Sequence, residues 1–492
     1  MRRQSVPVLS ALQIEEEQQE QEHSPRMLTR SRHWSPRQCA LAIAGSPRVC
    51  LLAVITSTLL LMITANSTSG TLPRLKSAAV LPVEFVQQRG GQLMLLHNAR
   101  PVVTGWAVPP GSVSANDGPA NCTLIRLAAG GAFHVSIATS GHWYGGPTMA
   151  RGSWPASLNR IARQPWRSHD MLAEREGLGS VLEGTWLTST GASIRMFSAS
   201  GGLDLSFNVP CDREAAPGEG KLCIYAGSSA VEVELCAATD VLAAQRALLR
   251  RLPRPTVPQP PSLELLRAPI WSTWARFKMD VDQAKTEAYA SEIVSRDFAR
   301  SHLEIDDRWS TKYGDLVFDP RKFPDAVGMV RRLAAQGFTV TLWITPFAEL
   351  TSAAFAEGAA DGHWLRTSAG VPAVVTWWQG EGVVLNVSRP EALAWFEARL
   401  RTFMDATGVR GYKFDAGEAV FVPDGAMGDP NEFAGEWARF AARFGGAGEV
   451  RSAHASQDAG LWTREFDKDS RWGYNAGLRA LITAALQMGV VG

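Results

Sequence analysis

The stretch KFDAGE (413–418) ends an apolar run on an aspartate and follows it at once with Ala416-Gly417. An acid placed so leaves its strand with the carboxylate facing whatever cleft lies beyond. Lys413, two positions earlier, points to the same face of that strand and can pair with Asp415, holding its pKa down. Asp306 and Asp307 in LEIDDRW (303–309) and Glu418 stand at comparable positions, and Trp271 and Trp343 also sit at strand ends. Carboxylates gathered with Trp fit glycoside hydrolysis: one carboxyl attacks, another moves a proton, and flat rings hold the sugar. With 17 Trp against 6 Tyr, the chain is well supplied with such rings. Other chemistries lack their residues. No His, Cys and carboxylate cluster has metal-ligand spacing, and no GxSxG elbow occurs. No cofactor is implied.

These groups need elements to hold them in register. From residue 262 onward, strand-like and helix-like runs alternate: APIWSTW (268–274), LEIDDRW, FTVTLWITPF (338–347), GVRGYKFDAGE (408–418) and EVRSAHA (449–455), with amphipathic runs between them. Pro324 near the start of one such run and Gly337 just past its end are helix punctuation. Alternation of this kind demands a parallel sheet, and the acids collect at the C-terminal strand ends, where a (β/α)8 barrel of the TIM type keeps its active site. An open doubly wound sheet would want a Gly-rich phosphate loop after the first strand, and none is there. The barrel is assigned to 262–492. Strands begin near 268, 303, 338, 411 and 449, with a sixth expected near 463–468. Eight close a barrel, so the expectation is that the chain is a piece of a longer protein, truncated after about six strands.

Upstream, residues 76–252 show short runs rich in Val, Ile, Leu and Thr, broken by Gly, Pro and Asn, as in an antiparallel β-sandwich. PRPTVPQPP (253–261) is a stiff linker between the two regions. Cys122, Cys211, Cys223 and Cys236 fall in the sandwich segment. Three pairings are possible. Cys211 and Cys223 bracket a hairpin-like loop, which favours 211–223 and leaves 122–236.

Val49–Ala65 is a run of 17 residues without charge, the lower limit for a transmembrane helix. The 48 residues before it read as a disordered tail and make a cleaved signal peptide the lesser alternative. Arg26, Arg30, Arg32, Arg37 and Arg48 lie just before the run and only Arg74 and Lys76 follow closely, so the tail is placed in the cytosol. That makes 49–65 a type II signal-anchor, 66–75 a stalk, and the remainder lumenal (endoplasmic reticulum or Golgi) or extracellular. Sequons at Asn66, Asn121 and Asn386 lie beyond the anchor, the first two being the better acceptors. Net charge is +1, which removes a whole-chain electrostatic case for nucleic acid. The expected partners are a carbohydrate and, through one helix, a membrane.

HWYGG (142–146), LEIDDRW, WWQG followed by NVSRPEALAWF, KFDAGE, and VRS followed by DKDSRWGYNAGLRALI together resemble glycoside hydrolase family 31. The resemblance covers about 80–492 and implies a retaining α-glycosidase with a β-sandwich ahead of the barrel. It implies Asp415 as nucleophile and Asp469 as acid/base, with Asp467 a neighbouring candidate because the usual WxGD pattern is altered. Asp306 or Asp307 would bind sugar hydroxyls, Arg451 would hold the acid/base region and substrate, and Trp378 matches a loop at the sugar site. Trp143 of HWYGG is a lesser candidate, since similar sandwich loops reach the barrel mouth. KFDAGE departs from the W-x-D-M-N-E of the common α-glucosidases. It looks like a membrane-anchored subgroup, which implies α-galactosides as substrates. An α-glucosidase, or a non-catalytic sugar-binding or signalling protein on the same scaffold, are the alternatives.

Overall fold

The computed structural model describes residues 83–87, 92–97, 100–108, 113–117, 121–136, 141–170, 177–197, 202–211, 220–255, 262–473 and 476–491. The tail, the anchor expected at 49–65, the stalk, Asn66 and most of the Pro-rich linker lie outside these. Among the described residues, no helix is long and apolar enough to cross a membrane.

Two antiparallel sheets form the N-terminal part. One runs, in spatial order, Val83–Gln87, Gln92–His97, Arg100–Val108, Ala132–Ser136, Lys221–Ala226, Leu203–Val209 and Ile161–Pro165. The other runs Val113–Asp117, Cys122–Leu127, Val231–Ala237, Ala192–Met196, Thr185–Thr188 and Trp143–Gly145. Alternate residues of these strands, among them Leu95, Ile125, Phe133, Ile194, Leu205 and Val233, fill one shared core. Disulfides join Cys122 to Cys236 and Cys211 to Cys223, the favoured pairing. Trp143 is fully buried in this core against Phe207, so the expectation that it approaches the barrel mouth is corrected.

The second part holds six parallel strands in sequence order: β1 (Trp271–Ser272), β2 (His302–Ile305), β3 (Thr339–Ile344), β4 (Gly411–Phe414), β5 (Glu449–Val450) and β6 (Trp462–Thr463). They make a half-barrel sheet with β1 and β6 at its edges. Helices α1 (Gln283–Ser295), α2 (Ala326–Ala335), α3 (Pro390–Thr407) and α4 (Glu432–Ala442) make the first four crossovers, and α5 (Gly477–Met488) follows β6. Their ends are set by local chemistry. The Asp282 and Asp325 side chains accept the first free N–H groups of α1 and α2, Pro390 opens α3, and Gly408 closes it in the left-handed conformation. The β5–β6 connection contains no α-helix, only a short 3-10 turn at Gln457–Ala459, contrary to strict alternation. Residues 451–455 are bonded to the sandwich instead. Leu182 N–H donates to the Ala453 carbonyl, and Ala455 N–H to Glu183.

Alternation along the barrel strands separates two environments. Leu303, Ile305, Val340, Leu342, Tyr412, Phe414 and Val450 face the helices and belong to the larger core. The other row is polar: register aligns Ser272 with Glu304 and Thr341, and Trp343 with Lys413 and Glu449. Few apolar side chains fill the barrel interior, so its charges must neutralise one another.

Candidate active site

Asp415 continues the inward row one step past β4. Its backbone N–H is still held by the Ile344 carbonyl at 2.9 Å, and its own carbonyl accepts from Trp437 Nε1. Ala416 then takes φ 59° and Gly417 φ 96°, which swing the chain off the sheet and leave the carboxylate at the rim. Position 417 must be glycine: a Cβ there would lie 2.2 Å from Ser452 Oγ and 2.6 Å from Trp437. Ala416 carries the kind of local strain that collects at functional rims, as do Arg308 (φ 65°) and Ala455 (φ 46°).

The Asp415 carboxylate is fully engaged. Trp343 Nε1 donates to Oδ2 at 2.9 Å, Arg464 Nη2 to Oδ1 at 2.7 Å, and Arg451 Nη1 stands 3.4 Å from Oδ1. Burial alone would push this carboxyl up. Arg451, Arg464 and Lys413, with the Trp343 bond, outweigh it and hold Asp415 well below the usual carboxylate range. Lys413 shares the face of Asp415, but its hydrogen bonds go elsewhere: Nζ reaches Asp306 Oδ2 at 2.7 Å and Glu304 Oε1 at 3.3 Å. Its influence on Asp415 is through space. Burial pushes Glu304 up to about 8, with Lys413 opposing and Glu449 and Asp306 adding to the shift.

Asp307 turns away from Lys413. Tyr313 Oη donates to Oδ1 at 2.5 Å and Gln379 Nε2 to Oδ2 at 2.8 Å. Burial raises its pKa, and the Tyr313 bond opposes the rise. Gln379 and Trp378 sit at the tip of a hairpin, Val374–Trp377 and Gly380–Val384, which pairs with Phe347–Glu349. Adjacent tip residues reach different sides of the rim: Gln379 grips Asp307, and the half-exposed Trp378 ring covers the Arg451 guanidinium at 5.2 Å.

Arg451 is the hub. Its Nε and Nη2 hold Glu418 at 2.6 and 3.0 Å, and Nη1 reaches Asp467 Oδ2 at 2.9 Å. The sandwich braces the same point. Asp170 stands 3.8 Å from Arg451, Ser180 Oγ donates to Glu418 at 2.9 Å, and Ser168 Oγ accepts from the Ala419 N–H. Arg464 completes the cluster, with Nη1 on Asp467 Oδ1 at 2.8 Å. Asp467 is therefore tied to both arginines that serve Asp415. Burial raises its pKa, but Arg464 and Arg451 prevail and depress it.

Asp306, Asp307, Trp343, Trp378, Lys413, Asp415 and Arg451 are thus brought together. Two of the expected residues lie apart from this cluster. Trp271 lies on the helix-facing row in register with Leu303, packs on Tyr289 and Phe298, and donates its N–H to the Ala299 carbonyl. A strand two residues long offers only one inward position, and Ser272 takes it. Asp469 accepts from Arg471 two residues along the chain, while Asp467 bonds to the arginines of the cluster. Arg464, Tyr313, Gln379, Asp170 and Ser180 were not expected. Arg464 had a readable sign, a base directly after the sixth strand. The sandwich residues had none, because they enter from over two hundred positions away in sequence. Two groups with a metal-like arrangement occur among the described residues, His134 with Cys211 and Cys223, and Glu234 with Cys122 and Cys236. Their four sulfurs are committed to disulfides.

Residues 268–444 match the glycosyl hydrolases family 31 TIM-barrel domain. The chain is 35% identical over 376 residues to the myogenesis-regulating glycosidase of Mus musculus, covering 71% of this chain and 51% of that protein. It is 28% identical over 155 residues to an α-xylosidase of Emericella nidulans, covering 31% of this chain and 19% of that one. A solved family 31 sulfoquinovosidase from E. rectale, in complex with an aza-sugar inhibitor, superposes with a TM-score of 0.61 at 13% identity, over 84% of this chain and 64% of that one. The chain spans about half the length of the mouse relative.

Proposed function

We propose, on the premise that residues 268–444 are a family 31 glycosyl hydrolase TIM-barrel domain, that this chain carries the centre of a retaining α-glycosidase. In this reading Asp415 attacks the anomeric carbon while Asp467 gives its proton to the departing oxygen. Water then hydrolyses the glycosyl ester as Asp467 takes the proton back. One observation carries it. A single nitrogen, Arg451 Nη1, stands 2.9 Å from an Asp467 oxygen and 3.4 Å from an Asp415 oxygen. Those two oxygens are then at most 6.3 Å apart, which is short of the roughly 6.5–9.5 Å of inverting enzymes and compatible with the roughly 5–5.5 Å of retaining ones. Asp306, Asp307 and Trp378 are assigned to the sugar hydroxyls and ring.

The substrate proposed is an α-galactoside, following the KFDAGE variant of the nucleophile motif, with α-glucoside and α-xyloside as the competing arms. The test compares two acids. Asp467→Ala should slow an alkyl α-galactoside by about 10²–10⁴-fold and a nitrophenyl α-galactoside far less, because only the poor leaving group needs protonation. Asp469→Ala should change both by a similar, small factor. The reverse ranking, or an inverted product by NMR, would remove the assignment.

The same proposal places the catalytic part in the secretory pathway or outside the cell, behind a signal-anchor at 49–65. Two disulfides in the sandwich support an oxidising compartment. Asn121 is exposed, whereas the half-buried Asn386 bonds its side-chain oxygen to Ser388. Removal of N-glycans from secreted-pathway material should increase gel mobility, and Asn121→Gln should reproduce part of that increase. Unchanged mobility in both would exclude this topology.

A further inference from the structure

Arg464 touches both proposed reacting carboxylates, with Nη2 on Asp415 Oδ1 at 2.7 Å and Nη1 on Asp467 Oδ1 at 2.8 Å. Its third nitrogen is in a different state. Nε is buried and makes no hydrogen bond among the described residues, while Glu449 Oε1 lies 4.0 Å away along β5. A buried guanidinium N–H without an acceptor is costly, and a small rotation toward Glu449 would satisfy it. Burial raises the pKa of Glu449, and Lys413 and Arg464 already pull against that rise. Two arrangements of one side chain are therefore available: a bridge across Asp415 and Asp467, and a pair with Glu449.

The bridge conflicts with part of the mechanism. A general acid must carry its proton when the leaving group departs, and an aspartate between two guanidiniums keeps none at neutral pH. Asp467 is partly open to solvent at the rim, whereas Asp415 is buried, so an incoming sugar meets the Asp467 end of the bridge first.

We propose that Arg464 is a positioning residue that spans the two reacting carboxylates in this structure, and that substrate binding turns it toward Glu449 so that Asp467 can be protonated. This rests on the hydrolase reading above. No covalent step is added: Asp467, partly open to solvent, takes its proton from water.

The charged groups facing Asp415 are Arg451, Arg464, Lys413, Glu449 and Asp467, and those facing Asp467 are Arg464, Arg451, Asp415 and Lys413. Removing Arg464 takes one cation from each acid, so both pKa values rise. For an alkyl α-galactoside, kcat/KM needs Asp415 ionised and Asp467 protonated. Arg464→Gln should move both limbs of the profile to higher pH, by about 1–3 units, with Arg464→Lys falling between. A purely structural role would lower the curve without moving it, and that outcome overturns the proposal.

A second arm needs no turnover. Both acids have depressed folded pKa values, so their contribution to stability is present above the unfolded value, near 3.9, and is lost as pH falls through the folded value. In Arg464→Gln the loss on acidification should be smaller and complete at higher pH than in the wild type, read by thermal melting of the whole chain. If the wild type hydrolyses no glycoside, the hydrolase reading fails while the melting arm still decides whether Arg464 bridges the two acids. Coincident acid-melting curves would show that it does not.

Discussion

Asp415→Asn is expected to reduce kcat on a nitrophenyl α-galactoside by at least about 10⁴-fold, the largest effect on turnover of any single change in this chain. The side chain keeps its shape but loses the charge on which three cations converge. The substitution also leaves Arg451 and Arg464 short of an anion, so some stability should go with the activity. That complication is separable. In Asp415→Ala the place vacated on the sugar's open face is available to a small nucleophile, and added azide should restore slow release of the aryl group. Azide entering opposite the leaving group gives a glycosyl azide of inverted configuration, whereas wild-type hydrolysis retains it. Residual turnover above about 1% in Asp415→Asn, or an azide product of retained configuration, would end the nucleophile assignment. A folded variant without activity or rescue would leave Asp415 as a binding residue only.

Asp415 was readable because three local signals coincide on it: an apolar strand, a two-residue turn that permits left-handed backbone, and a lysine on the same face. Asp306 and Asp307 followed from the same rule. Parallel strands whose inward row is polar have few places to put acids, and sequence shows where each strand stops. Trp271 failed the same rule because its strand is two residues long and the face assigned to each residue turns on one step of register. The choice between Asp467 and Asp469 was not local at all. Two acids two residues apart in a coil are told apart only by which arginines reach them, and Arg451 and Arg464 arrive from β5 and β6. The brace from the sandwich was hidden for a related reason. Ser168, Asp170 and Ser180 are ordinary polar residues in their own segment, and their meaning comes from a contact between two domains.

Arg451 makes that dependence measurable. Its guanidinium is 2% exposed and stands within 4 Å of Asp170, Asp415, Glu418 and Asp467. Exposed pairs such as Arg163 with Asp204 are worth about 0–1 kcal/mol. Arg451→Met differs in kind, because Glu418 is fully buried and would keep only the Ser180 hydroxyl as a partner. An ion stranded in this way costs about 3–5 kcal/mol, and chemical denaturation should show a loss of that size. The cost belongs to the abandoned partners rather than to the bond itself, since a complete buried pair repays little more than its own desolvation. It follows that the double variant Arg451→Met, Glu418→Gln should be more stable than Arg451→Met alone, although it has lost more of the network. Additive losses, or a single variant within about 1 kcal/mol of the wild type, would contradict a buried hub. Activity should not return in the double variant. The proposed acid/base and nucleophile would still lack the nitrogen that both of them share, and no gain in stability restores that geometry.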